Sequence, residues 1–172
     1  MIAPFRLAPL LCAAVLSSAC VAALAQRAAD DVDWRELETP APPALRTDGL
    51  LKFDVSVSSE LSYGVDPASI AIGEDGVVRY VMVATSRTGA VNALYEGVRC
   101  TTGEVKTYAR WNPAPPGAWI MATQPEWRQL FRTASSRPAL ALARAGLCEG
   151  AAPNGPLNKM LRDLRYGRPT QP

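Results

Sequence analysis

Histidine is absent from the 172 residues. The side chain that most often serves as a general base near neutral pH is therefore missing, and with it any Ser-His or Cys-His nucleophile pair. Cysteine is scarce, at four residues with no CxxC pair. Zinc wants three or four Cys, His or carboxylate ligands, so no metal site is assigned, and nothing calls for a cofactor. No GxSxG element, no glycine-rich phosphate loop and no internal repeat occurs. An excess of one charge is lacking too: 18 Lys and Arg face 16 Asp and Glu, for a formal net charge of +2. That balance gives no argument for nucleic acid or an anionic membrane as the main partner.

What is present begins with a leader. Met1 to Arg6 carries one positive charge, and Leu7 to Ala25 carries none and ends Ala23-Leu24-Ala25. A basic start, an apolar middle and a small-x-small end describe a secretory signal peptide over residues 1–25. The competing reading is a membrane anchor. The uncharged run of 19 residues is near the lower limit for a span, is interrupted by Pro9, and no basic cluster follows it. These flanks favour cleavage after Ala25 and a periplasmic or secreted protein. A third reading is lipid attachment at Cys20, which would anchor the chain to the envelope and bring a membrane into contact with it. Lipoprotein signals usually place Leu three residues before the cysteine; here Ser17 holds that place and Leu16 lies one step further out. Cleavage at Ala25 leaves 147 residues and removes one cation, Arg6, bringing the net charge to +1. That length suits a single domain with an ordinary core.

Cleavage also leaves two cysteines, Cys100 and Cys148. In an oxidising compartment two cysteines most simply form one disulfide, with two free thiols as the alternative. On the loop-entropy account a bridge closing 48 residues stabilises by about 4 kcal/mol.

Residues 26–49 read as an acidic, Pro-rich linker, with Trp34 among five acids and then Pro40, Pro42 and Pro43. The other reading is a docking strand anchored by Trp34. From Leu50 to Arg168 the pattern is that of one α+β domain: an antiparallel β-meander with C-terminal helices packed on one face. "LLKFDVSV" alternates, with Phe53, Val55 and Val57 on one face. "SIAI" is a short strand, and "VVRYVMVATS" is apolar on both faces, as a central strand is. "AVNALYEGVRC" and "EVKTYARW" return the chain through short Gly-containing turns, and "AWIMA" is a further short strand. "QPEWRQLFRTA" sets Trp127, Leu130 and Phe131 at helical spacing; "SRPALALARAGLC" and "GPLNKMLRDLRYG" give two more helices, ended by Gly146 and Gly167.

The stretch "VDPASIAIGEDGVVRYVMVATSRTGAVNALYEGVRCTTGE" (65–104), above all "DGVVRY" and "YEGVRC", resembles the cryptic neisserial protein-like family of exported bacterial proteins. The resemblance runs from about Leu50 to Cys148. It implies export and a shared fold, with lipoproteins among the members, and it carries no catalytic residue.

The candidate binding residues are Arg79, Tyr80, Tyr95, Glu96, Arg99 and Tyr108. Folding the hairpin about Thr88-Gly89 brings Arg79 opposite Gly97 or Val98, where a cross-strand pair with Glu96 becomes an option. As function, Arg79 or Arg99 would hold a carboxylate. Tyr80, Tyr95 and Tyr108, on three successive strands, would either pack the sheet or form an aromatic platform. Lys159, Arg162, Arg165 and Arg168 make a basic stripe, either solvated or facing anionic groups. The reading that follows is an exported envelope protein, non-enzymatic, binding an envelope component (a protein or a cell-wall polymer). The alternative is a hydrolase of cell-wall glycan or peptide that works without histidine, through acids such as Glu96 with Glu104 or Asp75.

Overall fold

The computed structural model describes residues 34–131 and 135–168. The leader 1–25, Cys20 and residues 26–33 lie outside the described residues. The chain divides into two units at Glu36/Leu37, and the fold is that of the second.

Three long strands form its centre: β4 (Val77–Thr85), β5 (Val91–Arg99) and β6 (Glu104–Asn112). Each follows its neighbour through a tight turn, so all pairings are antiparallel. Flanking them are β1 (Leu51–Phe53), β2 (Ser62–Val65) and β7 (Ala118–Met121), in the order β1-β2-β4-β5-β6-β7. Two-residue strands β3 (Ala71–Ile72) and β8 (Arg128–Gln129) pair with β4 and β6 respectively. A small hairpin, β9 (Cys148–Glu149) with β10 (Ala152–Pro153), stands apart. The helices follow the sheet: α1 (Arg137–Leu142) runs into a π turn (Ala143–Leu147), and α2 is Leu157–Tyr166. The α+β meander with helices on one face is therefore the observed fold.

Period-two alternation sorts the sheet residues into two cores. Val78, Tyr80, Met82, Val98 and Val105 pack under the helices, against Leu142, Leu147, Met160 and Leu164. Val81, Val83, Ala93, Tyr95, Tyr108 and Ala109 form the second core, with Leu45, Leu50, Trp111 and Trp119 packed on it. β4 is buried along all but its last residue because both of its faces are covered. Each fully buried valine there contributes about 1.5 kcal/mol or more.

The cover on the second face comes from the segment read as linker. From Leu37 onward it lies against the sheet: the Leu37 amide donates to Asp75 Oδ2 at 3.0 Å, and Trp119 Nε1 donates to the Pro43 carbonyl at 2.8 Å. Proline-rich chain lacks many amide donors and lies extended, so it can cross a sheet without needing a ladder of its own.

Two local expectations are corrected. The alternating run from Leu50 ends as a strand at Phe53, and Val57 is fully exposed. The helix expected over "QPEWRQLFRTA" is extended chain carrying β8; its last three residues, 132–134, lie outside the described residues. Here tertiary pairing overrides spacing: Arg128 and Gln129 pair with Val105 and Glu104, the Leu130 amide donates to the Gly103 carbonyl at 2.8 Å, and Trp127 lies beneath the Lys106 ammonium.

Candidate functional site

Cys100 and Cys148 form a disulfide, with Cα atoms 5.6 Å apart. It ties the end of β5 to the start of β9 and hence the sheet to the helical layer. The basic stripe is largely occupied by the same region. Lys159 Nζ reaches Glu149 at 3.1 Å and Asp163 at 3.2 Å, and also Asn154; Arg162 meets Asp163 at 3.6 Å; Arg168 donates to the Cys148 carbonyl. These contacts hold Asp163 below the usual carboxylate range, the Asn154 amide first among them. Two of the four cations, Lys159 and Arg168, thus fasten α2 and the residues just after it to the β9–β10 hairpin, while Arg162 pairs within α2.

The two remaining groups of candidates lie on opposite faces of the sheet. The register is the expected one, with Arg79 opposite Gly97, so Glu96 stands opposite Tyr80 and points to the other side. The Arg79–Glu96 pair does not form. Arg79 instead turns back to Asp75, donating to Oδ1 at 3.2 Å and to Oδ2 at 2.7 Å. Both side chains are nearly inaccessible. Burial raises the Asp75 pKa, but hydrogen bonds from Arg79 and from the Leu37 and Val77 amides outweigh it and hold the group below its ordinary value. The Arg79 guanidinium also lies over the Tyr108 ring, 5.8 Å from its centroid. Tyr95 and Tyr108 pack together with centroids 5.5 Å apart, under the Leu45–Leu50 cover. Burial raises the Tyr95 pKa. Tyr80 is on the helix side, so the three tyrosines share no common surface. Arg99 sits on the Arg79 side, 4.0 Å from Glu104, its partner in register.

On the helix side Glu96 is a buried acid, 2% exposed. Its two oxygens accept from the Thr107 hydroxyl at 3.0 Å and the Tyr80 hydroxyl at 3.2 Å. Burial raises its pKa; the two hydroxyls and the nearby Arg128 and Arg110 offset this only in part. The same burial, with the Glu96 charge beside it, pushes the Tyr80 hydroxyl far above its ordinary value. Arg128 Nη2 donates to Thr107 Oγ1 at 3.3 Å. Above this group opens a cavity of ≈ 220 Å³, with Tyr63, Met82 and Leu94 as apolar walls and Asn92, Arg110 and Arg128 around it.

Arg110 reaches this face through a β-bulge. Glu96 pairs with Thr107 and Tyr95 with Ala109, so Tyr108 is the extra residue. A regular hairpin would set Arg110 opposite Ala93, on the second core; the bulge sets it opposite Leu94 instead. Glu104 lies on the Arg99 side, so the Glu96–Glu104 acid pair is not assembled. Thr107, Arg110 and Arg128 were not among the sequence candidates. Counting back from the turn at 100–103 places Thr107 opposite Glu96; no comparable signal marks the two arginines.

The fold and site define a disulfide-stapled α+β domain with a mixed-charge cavity over Glu96 between its sheet and its helical layer. The chain belongs to the CNP1-like family, whose model matches residues 29–165. This is the family that the "DGVVRY" and "YEGVRC" motifs resemble. No curated protein and no solved structure matches the chain. Among the described residues, no helix is long and apolar enough to cross a membrane.

Proposed function

We propose that this protein is exported to the bacterial cell envelope and acts there as a non-enzymatic binding module on another envelope component. The observation that carries the reading is the Cys100–Cys148 disulfide. These are the only cysteines beyond residue 20, and a bridge between them suits an oxidising compartment. The cleavable character of residues 1–25 agrees with it. The sequestered state of the candidate charges favours binding over turnover: Arg79 is engaged by Asp75, and Glu96 has no second acid on its face in Glu104.

The test is the intact mass of protein isolated from its native envelope, alkylated with and without prior reduction. The expected product starts at Gln26, takes no label before reduction and takes two labels after it. A mass starting at a lipidated Cys20 would relocate the protein to a membrane surface, with the residues up to Glu36 as its spacer. Recovery of a specific turnover activity from the purified domain would overturn the non-enzymatic reading.

A further inference from the structure

We propose that the cavity over Glu96 binds a free α-amino acid with an apolar side chain. The inference rests on the reading of the chain as a binding module and is independent of export.

The charges are arranged for a zwitterion. Each oxygen of Glu96 accepts one hydroxyl hydrogen bond, from Thr107 or Tyr80. A carboxylate oxygen has two lone pairs, so each keeps an acceptor position that the protein does not fill with these bonds. An ammonium group would take such a position and would favour the ionised form of a carboxylate whose burial the two hydroxyls and the nearby Arg128 and Arg110 offset only in part. Around the same cavity and near Glu96 stand two cations, Arg110 and Arg128, both exposed and neither in an ion pair among the described residues. A guanidinium carries five N–H donors, and Arg128 commits one to Thr107 in this group. Their natural partner is a carboxylate.

The spacing selects the class of ligand. Thr107 Oγ1 contacts both the Glu96 carboxylate, at 3.0 Å, and the Arg128 guanidinium, at 3.3 Å. The negative and positive groups of the site are therefore separated by a single hydroxyl. An α-amino acid carries its ammonium and carboxylate on one carbon, which suits that separation. Tyr63, Met82 and Leu94 form the rest of the wall and would take an apolar side chain. At ≈ 220 Å³ the cavity is smaller than the range of about 300–1,000 Å³ usual for drug-sized ligands. It suits one amino acid better than an oligomer.

The test is calorimetric titration of the oxidised, full folded domain with leucine, valine and phenylalanine. Leucine is compared with two analogues that each keep one charge: 3-methylbutylamine, which lacks the carboxylate, and 4-methylpentanoate, which lacks the amine. At least one of the three amino acids is expected to bind. Each single-charge analogue should bind at least about tenfold more weakly, the scale of losing one charge-assisted contact. Glu96→Gln should weaken amino-acid binding about tenfold while leaving any residual 4-methylpentanoate binding unchanged, and Arg110→Gln should do the converse with 3-methylbutylamine. A cooperative thermal transition and an unchanged far-UV circular dichroism spectrum of both variants at the titration temperature separate loss of contact from loss of fold. No binding of any of the three amino acids, or equal binding of an analogue, overturns the proposal. If an envelope partner is still captured in that case, the binding-module reading stands and only the ligand assignment falls.

Discussion

Asp75 and Arg79 form a two-point pair across the β3–β4 turn, at 3.2 and 2.7 Å, and the Leu37 amide closes on the same carboxylate at 3.0 Å. The pair thereby joins the N-terminal cover to the central strand. Removing one partner leaves the other buried and uncompensated. Asp75→Asn is expected to destabilise the domain by about 3–5 kcal/mol, read from the urea midpoint, whereas the double change Asp75→Leu/Arg79→Met should cost less than the single one. The pH dependence has a definite sign. Asp75 is depressed in the folded state relative to its ordinary 3.8, so the stability it contributes is present above that value and lost as pH falls through the lower folded pKa. The midpoint of Asp75→Asn should lack this part of the acid sensitivity.

Glu96 runs the other way. Its folded pKa is raised from 4.5, chiefly by burial. Its contribution is complete below the unfolded value and lost as pH rises through the folded one. Glu96→Gln keeps the shape and removes the ionisation. Thermal unfolding from pH 4 to pH 8 should show the variant gaining on the parent as pH rises; a gap that shrinks with rising pH would contradict the assignment.

The disulfide closes a 48-residue separation. Cys100→Ala/Cys148→Ala is expected to lower stability by about 4 kcal/mol under non-reducing conditions, with chemical denaturation as the measurement. Reduction of the parent should bring it close to the double variant.

Gly97 lies beneath Tyr108. A Cβ at this position would sit 2.5 Å from the Tyr108 hydroxyl oxygen and 2.8 Å from Val77 Cγ1. Gly97→Ala should therefore destabilise by about 1–3 kcal/mol through overpacking, while Gly76→Ala, where the added atom meets nothing within 4 Å, would register only the strain of its turn. Near-UV circular dichroism should change with the first substitution, because Tyr95 and Tyr108 are packed together at that spot.

Much of the fold was legible because its signals are local. The turns at Thr88-Gly89 and Thr102-Gly103 set the hairpin registers, and β4, β5 and β6 form where alternation and β-branched residues place them. The two C-terminal helices follow their apolar spacing, with Met160 and Leu164 turned to the core. The missed segment at 124–131 fails for a complementary reason. Its aromatic spacing fits a helix, but the β6 edge offers Arg128 and Gln129 a pairing that an isolated turn of helix does not match.

The sequence by itself determined the central β4-β5-β6 meander, the C-terminal helices, a disulfide as the simplest state of the two late cysteines, and the membership of a family of related chains. Each depends on spacing along the chain or on a residue count. The strand β2 between β1 and β4, and β8, came only from the structure. Only the tertiary structure decided what shares a face. One extra residue at Tyr108 moved Arg110 from the second core to the side of Glu96, and a proline-rich lead became the cover of a sheet. Side-chain direction in a strand reverses with every residue, so a bulge that turns the chain by a single step reassigns everything beyond it.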